Sequence, residues 1–227
     1  MTRLLRFARE NSLGLVFGSL FVVVLVAQAL AGHADYNQQQ LTDGLPPVSF
    51  GRYVSSASFG VDVLENWQSE YLQFFLYIYL TVWLVQKGSP ESKELGKAGR
   101  ESERDQKIGA FADGNSPAWA RTRGVRLWLF SNSLGLVMLL IFVLSWLGQS
   151  ITGRIAYNER QLADLQDPVS WGGYLTNPDF WNRTLQNWQS ELLAVASMAI
   201  FAIYLRQRGS SQSKPVGSAH TATGVEG

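Results

Sequence analysis

The chain has no cysteine, which excludes a disulfide, a thiolate zinc site, an iron–sulfur cluster and a cysteine nucleophile. Histidine is nearly absent too. Only His33 and His220 occur, and His220 lies in a polar tail, which argues against a bis-histidine haem site. Charged residues are scarce, at 16%, and crowded into a few segments. A net charge of +1 gives no basic field for nucleic acid. No glycine-rich phosphate loop or nucleophile–base pair is visible, so no catalytic residue and no cofactor or metal is assigned. What is plentiful is aromatic and apolar: 8 Trp, 12 Phe and 8 Tyr among 227 residues. That balance describes a membrane protein.

One pentapeptide organises the rest. Asn66-Trp67-Gln68-Ser69-Glu70 returns letter for letter as Asn187-Trp188-Gln189-Ser190-Glu191, 121 residues later. At the same offset Asn11-Ser12-Leu13-Gly14-Leu15-Val16 matches Asn132-Ser133-Leu134-Gly135-Leu136-Val137. Gln28, Gly32, Tyr36-Asn37, Pro47-Val48-Ser49 and Tyr53 match Gln149, Gly153, Tyr157-Asn158, Pro168-Val169-Ser170 and Tyr174. Between Asn11 and Gly88, 31 of 78 positions are identical without a gap. Many of the matched residues are polar, so shared hydrophobicity does not explain the match. The pattern reads as a tandem duplication.

Each copy holds two apolar runs, 12–31 with 71–85 and 133–151 with 192–205. The first resembles a secretory signal, with Arg3, Arg6 and Arg9 ahead of it. Its recurrence in mid-chain argues that it is a retained span. The second run of each copy is shorter than the roughly 20 residues a bilayer core requires. It must recruit the pentapeptide ahead of it, which sets Glu70 and Glu191 at or just below one membrane face. The N-terminal segment, residues 86–126 and the C-terminal tail hold 15 of the 19 Lys and Arg, which places both termini in the cytoplasm. Both pentapeptides then face outward, with Trp67 and Trp188 at the outer interface.

The helices are expected to extend past the bilayer, over about 12–42 and 57–87, the first ending before Asp43-Gly44-Leu45-Pro46-Pro47. Asn177-Pro178-Asp179 reads as a helix start, and Ser49 as the cap of a short surface helix. The outer extension should expose Tyr36, Phe50, Tyr53 and Phe59, and in the second copy Tyr157, Trp171, Tyr174, Phe180 and Trp181. The fold class is therefore all-α and integral membrane: four transmembrane helices as two tandem-duplicated long hairpins with pseudo-two-fold symmetry. The expected divisions are 1–88 (first repeat), 89–124 (cytoplasmic polar linker, a solvated tether), 125–209 (second repeat) and 210–227 (disordered cytoplasmic tail).

Hairpin pairing puts Gln28 opposite the turn that begins at Glu70, and Gln149 opposite Glu191. Asn66 and Glu70 share a helix face, four residues apart, with Ser69 beside them. The candidate polar cluster inside the membrane is thus Gln28, Asn66, Ser69 and Glu70, repeated as Gln149, Asn187, Ser190 and Glu191. A carboxylate at that depth is costly unless paired or wet. Two readings stay open: a hydrogen-bond network that fixes helix packing, and a cation or proton site shared by Glu70 and Glu191. Gly14-x-x-x-Gly18 is a helix-contact pattern that fails in the second copy, where Gly18 becomes Leu139.

The doubled "ENWQSE"/"QNWQSE" segment, with the "NSLGLV" helix, resembles a family of small bacterial membrane proteins known only as a domain of unknown function. The resemblance covers most of residues 4–210. It implies a bacterial plasma-membrane location and no activity, substrate or cofactor. The expected role is non-enzymatic, structural or partner-binding, with an outward aromatic surface. The alternative is a small cation or proton channel or transporter using Glu70 and Glu191. The expected partners are the lipid bilayer and either another protein or a second copy of the chain, with no nucleic acid.

Overall fold

The computed structural model describes residues 3–225, and its regular structure is all helical, with no strand among the described residues. In chain order the helices are α1 (Arg3–Glu10), α2 (Ser12–Thr42), α3 (Phe50–Val54), α4 (Ala57–Leu80), α5 (Val125–Ser131), α6 (Ser133–Ala163), α7 (Trp171–Leu175) and α8 (Pro178–Tyr204). Two of them, α2 and α6, are long and apolar enough to cross a membrane; α4 and α8 are less apolar. The 31 residues of α2 span about 46 Å at 1.5 Å per residue. The chain divides into two compact units, residues 3–63 with 149–174, and 64–148 with 175–225.

The junctions ahead of α2 and α6 are built alike. Asn11 Nδ2 donates to Phe7 O at 2.9 Å, and Asn132 Nδ2 donates to Trp128 O at 2.7 Å. Each asparagine closes the last turn of the short helix before it, which accounts for the repeated Asn-Ser start. Both long helices end in the same left-handed turn. Leu45 N–H returns to Gln40 O and Gln166 N–H to Gln161 O, each at 2.7 Å. The left-handed residue is Gly44, with φ +73°, in one and Leu165, with φ +57°, in the other. Glycine adopts that conformation freely, whereas a leucine is strained in it.

In the first unit, asparagines fasten the surface helices to the long ones. Asn37 Oδ1 accepts from Val48 N at 2.8 Å while its Nδ2 donates to Val48 O at 3.1 Å. Asn158 makes the same pair of bonds with Val169, at 2.8 and 3.0 Å. A two-point bond of this kind satisfies the donor and acceptor of one peptide residue where the chain leaves regular structure. Next to it, the Tyr53 hydroxyl packs on Gly32 and the Tyr174 hydroxyl on Gly153. A Cβ on Gly153 would stand 2.6 Å from that oxygen, so glycine is there to admit the ring. Tyr53 rests against Tyr36 and Phe59. Burial, with Asp62 and Asp35 nearby, pushes its phenol up.

Ser49 caps α3, and Asn177 caps α8 by accepting from Asp179 N at 2.9 Å, with Pro178 in the first turn. Both starts match the sequence reading. The end of α4 does not: it stops at Leu80 instead of near 87. Thr81 Oγ1 bonds back to Tyr77 O at 2.7 Å, and the next amides tighten to i−3 carbonyls. The aromatic surface is also much reduced. Tyr53, Tyr174 and Phe180 are buried and pack against other rings; Phe50, Trp171 and Trp181 remain exposed.

Beyond each second helix the chain folds into a lysine-centred loop, where the sequence reading expected a tether and a disordered tail. Gln86 N donates to Ser92 Oγ, and Gln207 N to Ser213 Oγ. Lys93 Nζ donates to Gly99 O at 2.6 Å; Lys214 Nζ donates to Ala219, His220 and Ala222 carbonyls at 3.0–3.2 Å. Lys214 is only 1% exposed, and burial with the neighbouring Arg206 charge holds its ammonium below the usual lysine range. Three carbonyls converge on the Lys214 ammonium, and Lys93 is held by one carbonyl and the Glu101 carboxylate.

Leu165→Gly should stabilise the chain. Leu165 is 96% exposed, so no packing is lost, and the left-handed backbone is relieved by about 1 kcal/mol. The expected readout is a higher Tm in detergent; an unchanged or lower Tm would show that the turn is not strained.

Candidate functional site

The second unit brings the two copies of the pentapeptide together. Arg183 Nη1 of α8 donates to Glu65 Oε2 of α4 at 3.0 Å. One turn further along, Trp188 Nε1 donates to Gln68 Oε1 at 2.7 Å. Beyond that, Gln73 Nε2 donates to Glu191 O at 3.3 Å. Residue numbers rise together on both helices, so α4 and α8 run parallel along this seam. Partners lie 118, 120 and 118 residues apart, near the 121-residue repeat of the sequence.

Gln68 is the centre of the seam. It is fully buried, and both ends of its amide are occupied: Oε1 takes the Trp188 proton, and Nε2 donates to Glu65 O at 3.0 Å. A buried amide left unbonded would cost about 1–3 kcal/mol. Trp188 is held in turn by Phe142 and Trp146, with ring centroids 6.3 and 5.9 Å away. Trp146 also stacks on Phe180 and meets Trp181 edge-on.

The expected inward stripe does not form symmetrically. Gln28, Asn66 and Glu70 are exposed, while Ser69 is buried and returns its hydroxyl to Asn66 O at 2.9 Å. In the second copy Asn187 is half-buried and donates to Arg183 O at 2.9 Å. Ser190 is exposed and donates to Asn187 O at 2.9 Å. Gln149 is buried in the other unit, and Glu191 is half-buried. The Glu70 charge acts on Glu191. Trp188 is half-buried, because Phe142 and Trp146 form an aromatic shelf that takes it in. The residue corresponding to Trp146 in the first copy is Leu25, and Trp67 stays exposed.

Three of the six seam residues lie at positions where the repeats differ. Glu65 corresponds to Gln186, Gln73 to Ala194, and Arg183 to Asp62. Identical residues draw attention in a self-comparison, but a helix pair needs complementary ones. The usable signal was opposite charge in the two copies on one helical face: Asp62 and Glu65 against Arg183. Among the described residues no three of His, Asp and Glu gather where they could hold a metal ion.

These features define an all-helical protein with two helices long and apolar enough to cross a membrane. Residues 4–225 match the family model described as Domain of unknown function (DUF6766), and the chain belongs to that family. No curated protein and no solved structure matches it.

Removing the Trp188–Gln68 bond isolates its worth. Trp188→Phe and Gln68→Leu should each lower detergent stability by about 1 kcal/mol or more, and the double variant by less than their sum. Additive losses in a double-mutant cycle would show that the bond contributes nothing of its own.

Proposed function

We propose that the chain is a four-span membrane protein made of two tandem repeats, with a non-enzymatic role in structure or partner binding. Carrying this reading is the state of the repeated polar side chains. Gln68, Ser69, Asn187 and Ser190 all bond within the helices or across the α4–α8 seam, as a packing network would use them. The lipid environment is supported by α2, of whose most apolar window only 6% is buried. A core helix of a soluble protein would hide that face. Helices α4 and α8 have 24 and 27 residues, about 36 and 40 Å, and cross in this reading by using the pentapeptide as their outer turn. The termini and the segment between the repeats lie in the cytoplasm of a bacterial cell, and α3 and α7 lie outside. The outward aromatic surface then comprises Phe50, Trp171 and Trp181.

The action of the Glu70 charge on Glu191 favours one second reading, a cation or proton pathway. The two readings separate in liposomes. The packing reading expects proton and sodium flux no greater than in protein-free vesicles, with Glu70→Gln/Glu191→Gln changing nothing. Flux in the parent that the double variant abolishes, with the fold intact by circular dichroism, would overturn it in favour of the pathway.

Orientation can be tested directly, because the chain brings no cysteine of its own. With an impermeant maleimide applied to intact cells, Ser55→Cys should be labelled and Ser116→Cys should not. The reverse pattern would invert the topology.

A further inference from the structure

We propose that the groove between α4 and α8 beside Glu91 is a binding site for a phospholipid with a primary-ammonium headgroup, the class of phosphatidylethanolamine. The proposal rests on the membrane reading above. The groove has a volume of about 280 Å³ and is lined by Phe74, Ala194, Val195 and Met198, with Gln73 at one end and Tyr77 and Glu91 at the other. It exists because α8 has only Ala194 and Val195 facing Gln73 and Phe74 there. Gln73 closes the upper end by bonding to Glu191 O.

Glu91 reaches the other end by a reversal of the chain. After α4 stops at Leu80 the backbone turns at Gly88, with φ +87°, and the buried Pro90 sets Glu91 back alongside Tyr77. The Tyr77 hydroxyl donates to Glu91 Oε2 and holds the carboxylate at the mouth. Glu91 Oε1 has no hydrogen-bond partner, and no lysine or arginine lies within ion-pair distance of Glu91, among the described residues. Lys93, two residues on, is engaged by Glu101 and Gly99 O.

The shape and the charge point to one occupant. An apolar groove open to the side of a membrane helix pair takes an acyl chain. A half-buried carboxylate at its cytoplasmic end, where the headgroups begin, takes a cation. A primary ammonium supplies both the charge and N–H donors to the free oxygen, which a choline group does not. An anionic glycerol headgroup would meet like charge. The corresponding position in the second repeat is Gln212, and Tyr77 corresponds to Met198, so the carboxylate and phenol are not repeated there.

The test uses the full chain purified in detergent and offered phosphatidylethanolamine, phosphatidylcholine and phosphatidylglycerol with matched acyl chains, read by native mass spectrometry. The parent should retain the ethanolamine lipid about three- to fivefold over the other two. Glu91→Gln should erase that ranking, and Ala194→Phe, which fills the groove, should reduce retention of all three. Circular dichroism in the same detergent confirms that the variants fold. Equal retention of the three lipids by the parent, or a ranking that survives Glu91→Gln, would overturn the site. An alkaline carbonate wash of cell membranes separates the two claims. A chain that washes off overturns the membrane reading and this site with it. A chain that stays but ranks the lipids equally overturns the site alone.

Discussion

A buried amide must have both ends bonded, and at Gln68 that requirement ties two distant parts of the chain together. Its carbonyl is met only by an indole N–H arriving from 120 residues away, and its amino group only by the helix that carries it. Apolar contact alone would not fix how two parallel helices slide and rotate, because it has no direction. The Gln68–Trp188 bond and the Glu65–Arg183 ion pair supply direction, and so set both register and face. The aromatic shelf of Phe142 and Trp146 then has a defined place to receive Trp188.

The same requirement shapes the rest of the molecule. Asn37 and Asn158 each satisfy both backbone groups of one valine in the loop just ahead of a surface helix. Gly32 and Gly153 make room for the tyrosines that press the surface helices home. Lys93 and Lys214 bond carbonyls of the loops that follow the second helix of each copy. Residues that stand out in the sequence for being polar and recurrent thus have structural work. That is the ground for reading the pentapeptide as a packing device, even though Glu70 and Glu191 feel each other's charge.

Identical pentapeptides do not end in identical surroundings. Gln68 and Ser69 are buried, while Gln189 and Ser190 are exposed; Trp67 is exposed, while Trp188 is partly enclosed. Trp188 is enclosed by residues outside the pentapeptide, Phe142 and Trp146. Glu91 illustrates the same divergence, since its counterpart is Gln212.

Local chemistry was legible without coordinates wherever a short stretch of chain settles its own backbone groups. The span of α2, its stop before Asp43, the caps at Ser49 and Asn177 and the absence of any thiol site follow from periodicity, turn residues and composition. What only the tertiary structure decided was which polar groups meet. The early end of α4, the inward turn of Tyr53 and Tyr174, the lysine loops and the choice of Gln68 over Asn66 depend on atoms brought close from far along the chain. A helical pattern says which residues share a face. It does not say which face meets a neighbour, because that depends on complementary partners such as Glu65 and Arg183, and self-comparison finds identical residues instead. The pentapeptide therefore marked the right place on the helix, and the partner across the seam chose its working residue.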